Sequence, residues 1–193
     1  MMGRIDGENM NASHPPARFS GASMALHWLM AVLLVATALA MELKGNFPKG
    51  SAERELLKTI HYMLGASVFA LVWLRMLARA AGTAPPITPA LARWQSQTSH
   101  LVQLALYVLM VALPVLGWLT LSANGKPVPL LWGMHLPLLP MAPNRDTTLW
   151  FKELHETSAT VGYALVAVHA GAALVHHYFQ HDNTLLRMLP RGR

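Results

Sequence analysis

The sequence predicts an all-α integral membrane protein, built as a four-helix up-and-down bundle. Of its 193 residues, 53% are hydrophobic and only 12% are charged, and the mean hydropathy of +0.33 is high for a soluble domain. Apolar runs long enough to cross a bilayer occur at about 24–41, 59–78, 101–121 and 154–177. Polar, proline-containing segments separate these runs. Four spans place both chain termini on the same side of the membrane.

Charge and cysteine content narrow the class of function. The net charge is +6, but the cations flank apolar segments instead of forming a basic run, which favours lipid headgroups or anionic cofactor groups over nucleic acid. The chain has no cysteine, which excludes disulfides, thiolate-ligated iron–sulfur clusters and covalently attached c-type haem. Any redox cofactor must therefore be held without a covalent bond.

The segments at the edges of the spans complete the domain prediction. Residues 1–17 are polar and are expected to form a disordered tail, which leaves residues 18–193 as one membrane domain. The first span is longer than a signal-peptide core of about 7–15 residues, so it is interpreted as a retained helix. Pro114 is expected to kink the third span. Eight lysines and arginines on the side of the termini against seven on the other do not decide the orientation.

The last span carries two histidines at a spacing that suggests a function. His155 and His169 are fourteen residues apart. On an α-helix this spacing returns to within about 40° of the same face and separates the rings by about 21 Å along the axis. One helix therefore offers two imidazoles, one near each side of a membrane core of about 30 Å. Ionisable side chains at such depths are costly and suggest function by default.

Two further histidines match these in depth. His27 begins the first span on the side of the termini, level with His169, and His61 begins the second span on the opposite side, level with His155. Two imidazoles that face each other can ligate one haem iron, so the four predict two b-type haems stacked across the membrane. Zinc is a competing interpretation, although zinc ligands usually cluster in threes or fours. A non-haem transporter with a histidine proton relay also stays open.

Four other polar residues admit two interpretations each. Arg75 and Arg79 are four residues apart on one face of the second span. They either extend to the headgroups or pair with haem propionates or a quinone carbonyl. His176 and His177, at the end of the last span, are interpreted first as interfacial residues.

The chain resembles the bacterial cytochrome b561 family from about Arg18 to Arg193. The stretches that carry the resemblance are ALHWLM with His27, LKTIHYMLGAS with His61, VALPVLG in the third span, and KELHETSATVGYALVAVHAGAALVHHYFQHDNTLLRMLP at the end. The resemblance implies a four-helix membrane protein with two haem b groups. It also implies the axial ligand pairs His27 with His169 and His61 with His155.

Within that family, the resemblance is closest to the superoxide oxidase (superoxide:ubiquinone oxidoreductase) branch. It implies a multi-pass protein of the bacterial inner membrane, with both termini cytoplasmic, that oxidises periplasmic superoxide to dioxygen and passes the electron to ubiquinone. The haem at His61 and His155 would then be the periplasmic one. Four cations on that side would either steer superoxide to it or be ordinary loop residues: Lys58, Lys126, Arg145 and Lys152. Ubiquinone would bind near the other haem, with Arg75, Arg79, His176 and His177 as candidates.

The main alternative is an electron-relay subunit. In that interpretation the same two haems carry electrons between the quinone pool and a redox protein partner, and superoxide is not the substrate. A large polar docking surface or a neighbouring gene for a redox subunit would favour this alternative.

Overall fold

The computed structural model describes residues 18–130 and 133–190, which form a bundle of four long helices. The helices are α1 (Gly21–Leu43), α2 (Ala52–Ala81), α3 (Arg93–Ala123) and α4 (Arg145–Tyr178). All four are long and apolar enough to cross a membrane, as the sequence predicts. Two short strands, β1 (Val128–Pro129) and β2 (His135–Leu136), pair antiparallel between α3 and α4. The tail expected at residues 1–17 lies outside the described residues.

Three helices begin seven to nine residues before the predicted spans: α2 at Ala52 instead of 59, α3 at Arg93 instead of 101, and α4 at Arg145 instead of 154, whereas α1 begins only three residues before, at Gly21 instead of 24. Polar side chains cap two of these extensions. The Ser51 hydroxyl accepts a hydrogen bond from the backbone N–H of Arg54 at 3.3 Å, and the Asn144 side chain accepts one from Thr147 at 2.9 Å. Hydropathy detects the apolar part of a helix and misses the polar turns beyond it, so these turns were assigned to loops.

The helices are arranged as two hairpins. α1 packs along α2 and α3 packs along α4, whereas α2 contacts α3 less extensively and α1 scarcely touches α4. The buried apolar cluster is small and centres on Met30, Val68 and Val72. Because the hairpins do not close on each other, a cavity of about 1950 Å³ lies between them. Ligand pockets usually have volumes of about 300–1,000 Å³, so this cavity can hold more than one ordinary ligand.

Loops cover the end of the cavity opposite the termini. The Arg54 guanidinium donates to the carbonyl oxygens of Lys44 at 3.2 Å and Phe47 at 2.8 Å, which fixes the turn between α1 and α2. The Trp118 indole donates to the carbonyl of Pro137 at 2.9 Å and ties the β1–β2 segment to α3.

A C-terminal segment, residues 179–190, folds back over the other end and is called the strap below. It contains one turn of 3₁₀-helix, Leu186–Met188. The Trp28 indole donates to the carbonyl of Met188 at 2.8 Å, and the Arg18 guanidinium donates to that of Leu189 at 2.7 Å. Asn183 exchanges hydrogen bonds with Thr88 in the α2–α3 loop. The strap therefore joins both chain ends and this loop.

We expect Asn144→Ala to destabilise the protein by about 1 kcal/mol, because the α4 cap is lost. For a chain of this size that corresponds to a decrease in Tm of roughly 2–4 °C. Thermal unfolding of the detergent-purified protein, followed by circular dichroism, measures the change. Asn144→Asp is the matched control because it retains a capping oxygen. Equal losses in both variants would contradict a role for the cap.

Candidate functional site

The cavity between the two hairpins is the candidate site. All four helices line it, and most of the lining side chains are aliphatic. The four histidines that the sequence predicts as haem ligands all line it: His27 of the first span, His61 of the second, and His155 and His169 of the last. The structure thus brings the four predicted residues into one cavity.

The first pair lies near the chain termini. The rings of His27 on α1 and His169 on α4 have centroids 6.2 Å apart and an interplanar angle of 76°. The helices that carry them scarcely touch elsewhere. The two imidazoles therefore approach each other across the gap between the hairpins.

The second pair lies towards the opposite end. The rings of His61 on α2 and His155 on α4 have centroids 6.1 Å apart and an interplanar angle of 77°. The Nδ1–H of His61 donates to the carbonyl of Thr37 and that of His155 donates to the carbonyl of Leu113, each at 3.0 Å. A carbonyl can only accept, so these bonds fix the proton on Nδ1 and leave Nε2 with its lone pair when the ring is neutral.

These geometries suit metal coordination from two opposite sides. A metal–imidazole bond is about 2.0–2.1 Å long, which puts the centroids of two rings on one metal about 6 Å apart. A carbonyl acceptor at the far ring nitrogen is the usual way to orient a histidine ligand. Within residues 18–130 and 133–190, no three or more histidine, aspartate or glutamate side chains group closely enough for a metal site. The donor set therefore fits axial ligands of a haem better than zinc.

Gly117 explains how α3 approaches the second pair. A Cβ at this position would lie 3.5 Å from Cε1 and 3.7 Å from Nδ1 of His155. Such a methyl group would be in van der Waals contact with the ring, and any larger side chain would push against it. The spacing of polar residues in the sequence does not predict this contact between Gly117 and His155.

The two α2 arginines that the sequence analysis names as candidate ligand-binding residues lie at the end of the cavity near the chain termini. Arg75 and Arg79 both line it. Arg75 is close enough to His27 and His169 to interact electrostatically with both, and its guanidinium lies 5.8 Å from the centroid of the Tyr107 ring. A third arginine, Arg187 of the strap, also lines the cavity, and the sequence analysis missed it.

The two histidines at the end of α4 occupy different environments. His176 lines the cavity, and its Nδ1 lies 2.5 Å from Oδ2 of Asp182, a strap residue that is only 3% exposed. His177 is not among the residues that line the cavity, and its ring packs edge-on against Tyr178. Only His176 is therefore placed to reach a ligand there.

The cations predicted to steer an anion differ in their surroundings. Lys58 pairs with Glu55 at 2.6 Å and Lys152 pairs with Glu156 at 2.7 Å, each one turn away on its own helix. Lys126 and Arg145 are exposed. Lys44, at the end of α1, interacts electrostatically with His61 and was missed because it was counted with the loop.

Comparison with known proteins agrees with this architecture. The family model described as prokaryotic cytochrome b561 matches residues 18–191. The chain belongs to the prokaryotic cytochrome b561 family. It is 41% identical to cytochrome b561 homolog 1 of Escherichia coli (strain K12) over 176 residues, which is 91% of this chain and 99% of that protein. It is 31% identical to a probable superoxide oxidase of Yersinia pestis, over 91% of this chain and 98% of that one.

A third relative, cytochrome b561 homolog 2 of E. coli (strain K12), is 29% identical over 95% of this chain and 97% of its own. Membership in the family makes this chain a multi-pass membrane protein that binds haem b and transfers electrons. Identity is higher to the first homolog than to the probable superoxide oxidase, so the relatives do not select the predicted branch.

We expect the strap to loosen at acidic pH through Asp182. Burial by itself raises the pKa of this carboxyl, but hydrogen bonds from the backbone of Thr184 and from His176 outweigh it and hold the pKa below its ordinary value of 3.8. A depressed pKa contributes stability that is present above pH 3.8 and is lost as the pH falls through the folded value. Hydrogen-exchange protection of the strap amides, measured between about pH 5 and 2, reports this loss of stability.

Asp182→Asn is the matched variant, since it keeps the shape but cannot ionise. We expect weaker protection at neutral pH and little further loss on acidification. Protection that falls with pH equally in both proteins would assign the effect to another group.

Proposed function

We propose that the chain holds two haem b groups, one between His27 and His169 and one between His61 and His155, and that it transfers electrons from superoxide to ubiquinone. The observation that carries the proposal is the pair of ring separations, 6.2 and 6.1 Å, within one cavity. Haem b, when bound, supplies the one-electron chemistry. The chain would supply the histidine nitrogens that hold the iron, the orientation of these histidines and an apolar surround.

The reaction balances without a protein acid or base at the superoxide end. Two superoxide ions release two electrons and leave as two dioxygen molecules. These electrons and two protons convert one ubiquinone to ubiquinol. α4 contributes one histidine to each pair, and their spacing of about 21 Å along the helix separates the two ends of the path. The protein therefore connects two reactions on opposite sides of the membrane.

The charges at the end with His61 and His155 support only moderate steering of superoxide. Residues 42–58 and 124–156 together contain seven lysines and arginines against six aspartates and glutamates. Two of the seven cations, Lys58 and Lys152, are paired within their own helices. Lys126 and Arg145 are therefore the predicted cations best placed to attract an anion at this surface, which we propose to be periplasmic.

The ubiquinone site is proposed at the other end. His176 and Arg75 line the cavity there and offer polar groups beside an otherwise aliphatic wall. Ligand sites of this kind combine an apolar surface with a few polar groups that set orientation. This end would face the cytoplasm together with both termini.

The relay function is the second candidate. The relatives described as cytochrome b561 homologs carry no substrate in their names, and one of them is 41% identical to this chain. Under this alternative the same histidine pairs hold the same haems. A redox protein partner would then deliver or receive the electron in place of superoxide.

We expect His155→Ala to remove one of the two haems, and His169→Ala to remove the other. Loss of one axial nitrogen leaves the second iron with both of its own ligands, since the pairs share no residue. A pyridine haemochrome assay on the purified variants gives haem per chain. His135→Ala is the control and retains both haems, because His135 is exposed and is not among the residues that line the cavity. Two haems in His155→Ala would remove that residue from the ligand set.

Rapid mixing with superoxide tests the reaction. We expect superoxide to reduce the haems of the oxidised, detergent-purified protein, as followed at their absorption bands, and a ubiquinone analogue to reoxidise them.

Neutralising Lys126 and Arg145 together should slow the reduction by superoxide by less than tenfold at low salt and flatten its salt dependence, because only part of the local charge is removed.

Arg93→Gln is the charge control, since Arg93 is exposed at the opposite end of the molecule, where the chain termini lie. If the haems respond only to quinol or to a partner protein, the relay function replaces the oxidase. If superoxide reduces them but the Lys126/Arg145 variant is unchanged, steering by these residues is wrong and the oxidase proposal stands.

A further inference from the structure

Arg187 is a charged side chain in an unusual position. It belongs to the strap, is only 8% exposed and lines the cavity. Its Nε atom is buried and has no hydrogen-bond partner among the described residues. A buried charge without a partner is costly, so such groups are normally paired.

The neighbourhood of Arg187 is itself positive. Arg187 and Arg79 lie against the same aromatic ring, with each guanidinium carbon 5.1 Å from the centroid of Phe19. Burial lowers the pKa of Arg187, the nearby charge of Arg79 lowers it further, and the charge of Asp182 opposes these two effects without cancelling them. The ring offsets part of the cost through cation–π contact but carries no negative charge.

No carboxylate of the described residues pairs directly with these arginines. Neither Arg79 nor Arg187 forms an ion pair within residues 18–130 and 133–190. Asp182 is the acidic residue closest in sequence to Arg187, and its oxygens are bonded to His176 and to the backbone of Thr184. The two guanidiniums thus form one cationic pair without a directly paired carboxylate, called the arginine pair below.

The surroundings define what would neutralise the arginine pair. Phe19, Arg79 and Arg187 all line the cavity whose walls are otherwise mostly aliphatic. The fitting ligand has an apolar body and an anionic end. A quinone head is neutral and would leave both charges unpaired. Arg75, one helical turn from Arg79, extends the positive region to the His27/His169 pair.

We infer that Arg187 and Arg79 bind the propionate carboxylates of the haem held between His27 and His169, so that the strap closes over that cofactor as part of its site. The inference rests on the proposed ligand pairs. Guanidinium and carboxylate form charge-assisted, often bidentate hydrogen bonds, which suit Arg187, whose buried Nε has no partner among the described residues. A phospholipid phosphate offers similar chemistry and is the competing source of the anion.

The test uses the purified holoprotein in a phosphate-free detergent, stripped of phospholipid. We expect Arg187→Gln to lower the midpoint potential of one haem, because a removed cation no longer disfavours the oxidised iron, and to leave the other unchanged. That haem should also transfer to apomyoglobin on the order of tenfold faster. The double variant with Arg79→Gln should show larger changes, and Arg187→Lys should restore most of the potential.

Two controls separate charge from folding. Arg93→Gln removes an exposed arginine from the same end of the molecule. Asn183→Ala removes the side-chain hydrogen bonds that tie the strap to Thr88 and Pro86 while keeping every arginine. We expect neither to shift a potential.

Three outcomes would overturn the inference. Unchanged potential and haem transfer in Arg187→Gln would do so, as would an equal shift in Asn183→Ala. If Arg187→Gln carries less bound phospholipid phosphorus than the parent before stripping, and its midpoint potential is unchanged after stripping, the arginine pair binds lipid instead. Failure of the proposed ligands is distinguishable, since His27→Ala and His169→Ala would then leave both haems in place.

Discussion

The gap between the two helical hairpins is the constraint on which the rest of the structure depends. In a membrane each helix satisfies its own backbone hydrogen bonds, so helices gain little from contact unless their side chains fit closely. Here α1 fits α2 and α3 fits α4, but α1 scarcely touches α4. The cavity of about 1950 Å³ between the hairpins takes the place of a conventional bundle core. We therefore expect bound cofactor, rather than side-chain packing alone, to hold the hairpins together.

The two ends of the cavity are built for different chemistry. At one end, carbonyl oxygens of Thr37 and Leu113 orient His61 and His155, and the nearby surface carries almost balanced charge. At the other end, the strap and α2 bring arginines to an apolar wall beside His27 and His169. A path between unlike ends suits a protein that exchanges electrons with one species on each side. The shared helix α4 holds both histidine pairs at a fixed spacing, so the separation does not depend on loop conformation.

The comparisons establish the family, whereas the substrate has to be inferred from the site. The match to the prokaryotic cytochrome b561 model establishes a haem-binding electron-transfer protein and does not identify its electron donor. What distinguishes a superoxide oxidase from a relay subunit is the surface that meets the electron donor. In this chain that surface has two paired lysines, three exposed cations outside those pairs (Lys49, Lys126 and Arg145) and no large excess of charge.

The sequence alone determined the four helices, because long apolar runs have few alternatives in a membrane. It also predicted which histidines share a depth, since the rise of a helix is fixed and the topology alternates. Only the tertiary structure decided the rest. The polar first turns of α2 and α4 are helical because the capping side chains of Ser51 and Asn144 stabilise them despite their low hydropathy. Arg187, Asp182 and Gly117 enter the site through contacts between segments distant in the chain, and no local pattern encodes such contacts.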